Sequence, residues 1–105
     1  MRPLRHKPMY NDLFLKYKDI DGNEQGFYCK EISSNKRISV LINMPVKDSG
    51  VRYITDSDID FVVDGVIIDS FGNEHIIEAE PEIKPIKDNN SRRGAYRKVK
   101  VIETT

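Results

Sequence analysis

Short apolar runs separated by polar turns divide this chain into segments of strand length. Leu13, Leu15 and Tyr17 fall on every second position of residues 13–18, a period typical of a strand with one face on a core. Gly, Asn, Asp and Ser, which turns favour, stand between most of the runs. Strands are predicted at residues 13–18, 26–32, 37–43, 51–54, 60–63, 66–69, 74–79 and 96–103.

Two proline-containing segments interrupt the strand pattern. Met44–Gly50 contains Pro45, which lacks the N–H that a strand ladder needs, so a loop is predicted there. Residues 80–85 contain two prolines and predict an end to regular pairing before the final strand. From these eight candidate segments we expect six to seven short antiparallel strands, and no convincing amphipathic helix is visible. The chain is therefore predicted to be all-β, a small barrel or sandwich.

The length and composition fit one folded domain. The chain has 105 residues, of which 38% are apolar and 32% charged, but its apolar residues are clustered, which favours folding over disorder. Residues 1–10, with two prolines and three basic side chains, are predicted to form a flexible basic arm, and residues 11–105 a single β-rich domain. The single Cys29 excludes an internal disulfide and fits a reducing compartment. No apolar stretch approaches membrane-spanning length, so no membrane contact is predicted.

Opposite charges are held in different parts of the sequence, although the formal net charge is zero. Residues 1–10 contain three basic residues and no acid, and residues 11–86 contain 8 basic against 15 acidic residues. Residues 87–105 contain 6 basic against 2 acidic residues. A protein with two basic ends and an acidic body can meet an anionic partner at one surface and a basic partner at another.

The sequence contains no complete motif for metal binding or catalysis. Asp19-x-Asp21-x-Asn23 begins like a calcium loop, but Glu24 stands where that loop needs Gly and Lys30 where it needs Glu. The two histidines and the single cysteine lack the spacing of a zinc site. Because a phosphate-binding glycine loop, a nucleophile elbow and a Cys-His signature are also missing, we predict no cofactor and no enzymatic activity.

The strongest chemical signal is the basic segment at residues 87–100. Turn-forming residues flank Arg92 and Arg93, so both guanidinium groups are predicted to be exposed for bidentate contacts with phosphate or carboxylate. The alternative interpretation is a solvated hairpin whose lysines protect an edge strand from aggregation. Candidate contacts with DNA or a partner are Lys87, Arg92, Arg93, Arg97, Lys98 and Lys100. Candidate acidic contacts between subunits are Asp56, Asp58 and Asp60.

Three features follow one another along the sequence. They are the Pro-interrupted loop, the paired runs at 60–68 and 74–78, and the stretch Asn-Asn-Ser-Arg-Arg-Gly at 89–94 before a basic strand. This layout resembles the small head-closure proteins of long-tailed bacteriophages, also called stopper, head-tail joining or head completion proteins. In that family a small β-barrel assembles as a ring beneath the portal and adaptor. Loops projecting into the channel then retain packaged DNA until the tail attaches.

The resemblance implies a virion component assembled in the host cytoplasm as a homo-oligomeric ring. Its implied partners are the portal or adaptor ring and tail-completion proteins, with packaged DNA as a further candidate contact. The ring would close the DNA channel and provide the surface on which the tail docks. The candidate channel loop consists of Met44, Pro45, Val46, Lys47, Asp48, Ser49 and Gly50.

Two hypotheses of other classes remain open on the sequence. A small-barrel nucleic-acid-binding module would use the basic residues of 87–100 to follow phosphates and Tyr28, Tyr53 or Tyr96 to stack bases. A small enzyme or metal-binding domain has no positive feature in the sequence. Binding of free DNA at physiological salt, without another virion protein, would favour the nucleic-acid module over the connector.

Overall fold

The computed structural model describes residues 9–33, 38, 42–44, 49–87 and 96–105. Seven strands form one antiparallel sheet in the order β5-β4-β1-β2-β3-β7-β6, which confirms the all-β prediction. The strands are β1 (Leu13–Lys18), β2 (Glu24–Glu31), β3 (Val51–Thr55), β4 (Val66–Ile68), β5 (Glu74–Ile76), β6 (Glu82–Lys87) and β7 (Tyr96–Thr104).

The sheet curls into a half-barrel because the end of β5 meets the end of β7. Ile77 forms an isolated bridge with Thr104, the N–H of Glu78 donates to the carbonyl of Glu103 at 3.0 Å, and the N–H of Thr105 donates to the carbonyl of Ile76 at 2.9 Å. These bonds satisfy backbone groups that would otherwise lie at an open sheet edge.

The inner face of the half-barrel holds the larger core. Phe61 packs edge-on against Tyr17 and Phe27, with ring centroids 4.9 and 5.0 Å apart. The buried Tyr17 hydroxyl accepts a hydrogen bond from the N–H of Val62 at 3.1 Å, so its polar end has a partner. The buried members of this core are Leu15, Tyr17, Phe27, Cys29, Tyr53, Phe61, Ile67, Ile77 and Ile102.

The opposite face of β3 and β7 is buried as well. Ile54 from β3 and Val99 and Val101 from β7 form the centre of a second core. A strand that is buried on both faces is apolar at successive positions, as Tyr53-Ile54 and Val101-Ile102 are. The other buried members are Ile32, Ile38, Ile42 and Ile86, with Met9, Tyr10 and Met44 partly buried against them.

The prediction of a strand at residues 37–43 is wrong at the residues that the structure describes. The N–H of Ile42 donates to the carbonyl of Ile38 at 2.9 Å, which is the spacing of a helical turn, and Asn43 has a left-handed φ of 56°. Both isoleucines enter the second core. Residues four apart share one side of a strand and also one side of a helical turn, so periodicity alone did not separate the two.

Two further strand assignments change. Residues 60–63 were predicted to be a strand, but in the structure they lie outside the seven strands, and Phe61 fills the half-barrel instead. Residues 80–85 were predicted to end regular pairing, but Glu82–Lys87 form β6 and pair with β7 along their whole length. Pro85 is tolerated because β6 lies at the edge of the sheet.

One turn design occurs twice, in the β1–β2 and β4–β5 hairpins. Asp19 and Asp69 each accept, on carboxylate Oδ1, the backbone N–H groups two and four residues further on, all at 2.9 Å. The shared signature is Asp-x-x-Gly-Asn-Glu, at residues 19–24 and 69–74. The Asp19 carboxylate is therefore occupied by its own turn, which accounts for the calcium-like pattern without a metal.

The two hairpin tips point in opposite directions, because β1 and β4 are antiparallel neighbours. Each tip exposes one large apolar side chain, Ile20 in the first and Phe71 in the second, and Phe71 is 91% exposed. The half-barrel thus presents an apolar contact point at each of two ends.

Candidate functional site

The candidate site is built around Asp56, directly after β3. The Thr55 hydroxyl donates to the carbonyl of Tyr28 at 2.6 Å and accepts the N–H of Ser57 at 3.1 Å. These two bonds turn the chain out of the sheet. The turn places the Asp56 side chain in an almost fully enclosed position beside the N-terminal end of β7.

Both basic ends of the sequence are attached to the body at this carboxylate. Arg97, near the start of β7, donates from Nη2 to Asp56 Oδ2, and the backbone N–H of Met9 donates to the same oxygen at 3.0 Å. Met9 and Arg97 are therefore neighbours in the structure, although they lie near opposite ends of the sequence. Burial, followed by the Asp56 charge, raises the pKa of the adjoining Tyr10.

The predicted basic contacts fall into an internal and an external group. Lys100 donates from Nζ to the carbonyl of Ile59 and lies 5.5 Å from the centroid of the Phe61 ring, so it packs onto the body. Arg97 is held by Asp56. Lys98 is exposed. Arg92, Arg93 and the side chain of Lys87 lie outside the described residues.

The structure also divides the predicted acidic trio. Asp58 and Asp60 are exposed, whereas Asp56 is enclosed and bound within its own chain. Of the three, Asp58 and Asp60 have the exposure that an acidic contact between subunits needs.

Most of the predicted channel loop lies outside the described residues, namely Pro45, Val46, Lys47 and Asp48. Its two ends are described. Met44 is half-buried against the second core, and Ser49 and Gly50 are exposed immediately before β3. Gly50 has a left-handed φ of 75°, which glycine adopts without strain.

His75 connects the β4–β5 hairpin to the end of β7. Its Nε2 lies 2.9 Å from Asp69 Oδ2 and its Nδ1 lies 3.1 Å from the carbonyl oxygen of Thr105. Both partners are acceptors, so the doubly protonated ring satisfies both contacts. Burial lowers the pKa of His75, but the Asp69 and Thr105 hydrogen bonds outweigh it and raise the pKa overall. The His75 hydrogen bond in turn lowers the pKa of Asp69 to about 2.

The single thiol is enclosed in the larger core. Cys29 is fully buried, and burial, followed by the charge of Asp12, raises its pKa to about 12. A thiol that stays protonated at neutral pH is a poor nucleophile and a poor metal ligand.

The structure shows an exposed aromatic pair, of which Tyr28 was named from the sequence as a candidate for base stacking and Phe14 was not. Phe14 of β1 and Tyr28 of β2 face each other across the strands on the outer surface, with ring centroids 4.8 Å apart. The sequence did carry a signal for it. Phe14 occupies an outward position of the period-two pattern in β1, where Lys16 and Lys18 fill the other outward positions.

Within the described ranges, no cluster of three or more His, Cys, Asp or Glu side chains is arranged to hold a metal ion. No helix in that part of the chain has the length and apolar character needed to cross a membrane. Comparison with protein families, with curated proteins and with solved structures finds no match to this chain.

Proposed function

We propose that this protein is a structural subunit of a bacteriophage head-tail connector, assembling as a ring beneath the portal and adaptor. In this role it closes the DNA channel and provides the surface on which the tail docks. The observation that carries the proposal is the attachment of both basic segments at Asp56, through Arg97 and Met9. The exposed Lys98 lies beside Arg97 at this end of the subunit, which we call the basic pole, and the sequence has its acidic excess at residues 11–86.

Rotational symmetry repeats the basic pole of the subunit around the ring. In a closed ring, the same pole of every subunit lies on the same rim, so the positive charge of one pole is repeated around the axis. Such a rim suits a polyanion in the channel or an acidic surface on the adjoining ring. The exposed Asp58 and Asp60 supply opposite charge on the body for contacts between neighbouring subunits.

The fold supports the same role. A curled sheet with two cores gives a rigid subunit, and the apolar hairpin tips at Ile20 and Phe71 offer contact points in two opposite directions. A subunit held between a ring above and a ring below needs contacts at both ends. The proposal includes no catalytic step.

The test adds the purified protein to DNA-filled heads that carry portal and adaptor but lack this subunit. We expect co-sedimentation with the heads and protection of the packaged DNA from nuclease. Lys98→Glu, at the basic pole, should weaken both effects, whereas Lys16→Glu, exposed on β1, is the matched control. A folded protein that neither co-sediments nor protects DNA contradicts the proposal.

A second candidate is a nucleic-acid-binding module, favoured by the exposure of Tyr96 beside Lys98. Tyr96 is 69% exposed, whereas Tyr53 is 2% exposed and Tyr28 packs on Phe14, so Tyr96 is the best placed of the three for stacking on a base. Free DNA bound with a Kd below about 1 µM at about 0.15 M salt would select this candidate over the connector.

A further inference from the structure

Part of β2 has an edge without a strand partner among the described residues. β2 pairs with β1 over most of its length, but its pairing with β3 is confined to Lys30 and Glu31. The reason is that the chain leaves the sheet after Thr55, whose hydroxyl donates to the carbonyl of Tyr28. Residues 24–28 therefore border a space that no strand of the described structure fills. Unpaired strand edges bind extended segments through backbone hydrogen bonds.

The hairpin register fixes which backbone groups face that space. The N–H of Asp19 donates to the carbonyl of Asn23 at 2.9 Å, and hydrogen-bonded pairs recur at every second residue along an antiparallel ladder. The backbone groups of Gly26 and Tyr28 therefore point away from β1. The Tyr28 carbonyl agrees with this direction, because it accepts the Thr55 hydroxyl on that side. An added strand can thus pair with both N–H groups and with the Gly26 carbonyl.

A cleft of about 280 Å³ follows the open edge. One wall is the aromatic pair of Phe14 and Tyr28, and Phe14 lies so close over Gly26 that a Cβ there would be 2.3 Å from the Phe14 ring. Residues 56–58 complete the lining, and Asp58 is exposed. The cleft thus offers backbone groups, an apolar surface and an exposed carboxylate together.

The other sheet edges in the described ranges are not suited to fill this cleft from a second copy. The carbonyl of Glu103 in β7 accepts the N–H of Glu78, so every second residue of β7 counted back from Glu103 faces β6. Lys98 is not in that set, and the nitrogen of its partner Pro85, which has no hydrogen, therefore points outward at the β6 edge. At the opposite edge, β5 is already bonded to Thr105.

The chemistry of the cleft favours a basic partner over a contact between two β2 edges. Such a contact would bring the Asp58 carboxylates of both copies to one interface, where like charges weaken binding. We propose that the cleft binds an extended segment of another protein as a strand added to β2. Apolar side chains at alternate positions of this segment pack on Phe14 and Tyr28. Lys or Arg at the positions between them complements Asp58.

The open edge also sets the length of the segment. Successive residues of an antiparallel strand are about 3.4 Å apart, so residues 24–28 span about 14 Å. A segment of about five extended residues is therefore sufficient to follow the edge. Alternate residues of that segment direct their backbone groups towards β2, which matches the spacing of Gly26 and Tyr28.

The first experiment titrates a labelled synthetic peptide, acetyl-Val-Lys-Val-Lys-Val-amide, into the isolated full chain. We expect this Lys peptide to bind at least about tenfold more tightly than the matched peptide with Glu in place of Lys, because Asp58 attracts one and repels the other. A third peptide has the Lys sequence with its three central amide nitrogens methylated. It keeps the charge and loses the hydrogen-bond donors, so it should bind at least about tenfold more weakly than the Lys peptide.

Variants of the full chain locate the binding site. Asp58→Asn should weaken binding of the Lys peptide about two- to fivefold, which is the contribution of one exposed ion pair. Asp60→Asn is the matched control, because Asp60 is also exposed but does not line the cleft. Phe14→Ala should weaken binding at least about threefold, because it removes much of the apolar wall.

Amide hydrogen exchange distinguishes an added strand from a loose ionic association. Saturation with the Lys peptide should slow the exchange of the Gly26 and Tyr28 amides at least about tenfold. The Phe27 amide, which faces β1, is the internal control and should not change. This inference does not depend on the connector proposal, since every measurement uses the isolated protein.

Any of four results would overturn the inference. If the folded protein does not bind the Lys peptide, the cleft does not accept such a strand. Equal binding of the methylated peptide means that the backbone edge is not used, and equal binding of the Glu peptide means that the carboxylate does not select the partner. If the protein alone sediments as a dimer with the Gly26 and Tyr28 amides already protected, a second copy occupies the edge instead.

Discussion

Replacement of Asp56 tests whether this carboxylate stabilises its own fold, as an internal tie to Met9 and Arg97, or instead contacts another subunit. Asp56→Ala removes the oxygen that accepts the N–H of Met9 at 3.0 Å and the guanidinium of Arg97. The Asp56 side chain is 5% exposed and that of Arg97 is 20% exposed, so water screens the pair only in part. The matched control is Asp58→Ala, two residues further on and exposed.

The expected loss follows from that burial. Removal of one partner from a buried ion pair costs about 3–5 kcal/mol, whereas an exposed pair is worth about 0–1 kcal/mol. Because Arg97 keeps some exposure, we expect Asp56→Ala to lower the free energy of unfolding by about 2–4 kcal/mol. Asp56→Asn keeps one acceptor oxygen and should cost about 1–2 kcal/mol. Asp58→Ala should change the free energy of unfolding by less than about 0.5 kcal/mol.

Urea unfolding followed by circular dichroism measures these differences. An unchanged slope of the free energy of unfolding against urea concentration indicates that the fold is intact. A double-mutant cycle with Arg97→Met should give a coupling free energy of about 1–3 kcal/mol. If Asp56→Ala and Asp58→Ala cost the same, the tie is not stabilising. Asp56 would then return to the group of candidate contacts between subunits.

Three further predictions concern pH, packing and DNA. The stability that His75 contributes is fully present below its ordinary pKa of about 6.5 and is lost as pH rises through its raised folded value, and His75→Gln should remove this dependence in urea titrations across that range. Gly65→Ala should cost about 1–3 kcal/mol in the same unfolding assay, because its Cβ would lie 2.6 Å from the buried Tyr17 ring. An equal or smaller cost than Gly26→Ala, which opposes an exposed ring, would contradict that reasoning. Lys98→Ala should reduce the log–log salt slope of DNA binding by about 1 if Lys98 contacts a phosphate, and an unchanged slope would argue against that contact.

The strands that follow a single clear period were predictable from the sequence. β1 alternates along its length, and β7 was predicted at 96–103 and spans Tyr96–Thr104. In β7, Val99 and Val101 enter one core and Ile102 the other, as side chains that alternate along a strand do. Local pattern suffices where a strand has one consistent neighbour on each face.

The structure of the wrongly predicted segments depends on the parts of the fold against which they pack. Pro85 argued against pairing, yet β6 lies at a sheet edge, where a missing N–H on one side costs little. Ile38 and Ile42 fitted a strand period, but they cover the outer face of β3 and β7 from a helical turn. The repeated Asp-x-x-Gly-Asn-Glu signature was visible in the sequence and would have predicted both hairpins from one turn.

The site depended on topology and could not be read from local pattern. β3 and β7 are antiparallel with Thr55 opposite Lys100, which brings the residue after β3 beside Arg97. The sequence showed two separate basic ends, and one residue from each, Met9 and Arg97, binds the same Asp56 carboxylate. Arg97 is already paired with Asp56, whose negative charge offsets the attraction of this guanidinium for an external phosphate. External anionic contacts at this pole therefore fall to residues that have no such tie to lose, with the exposed Lys98 first among those described.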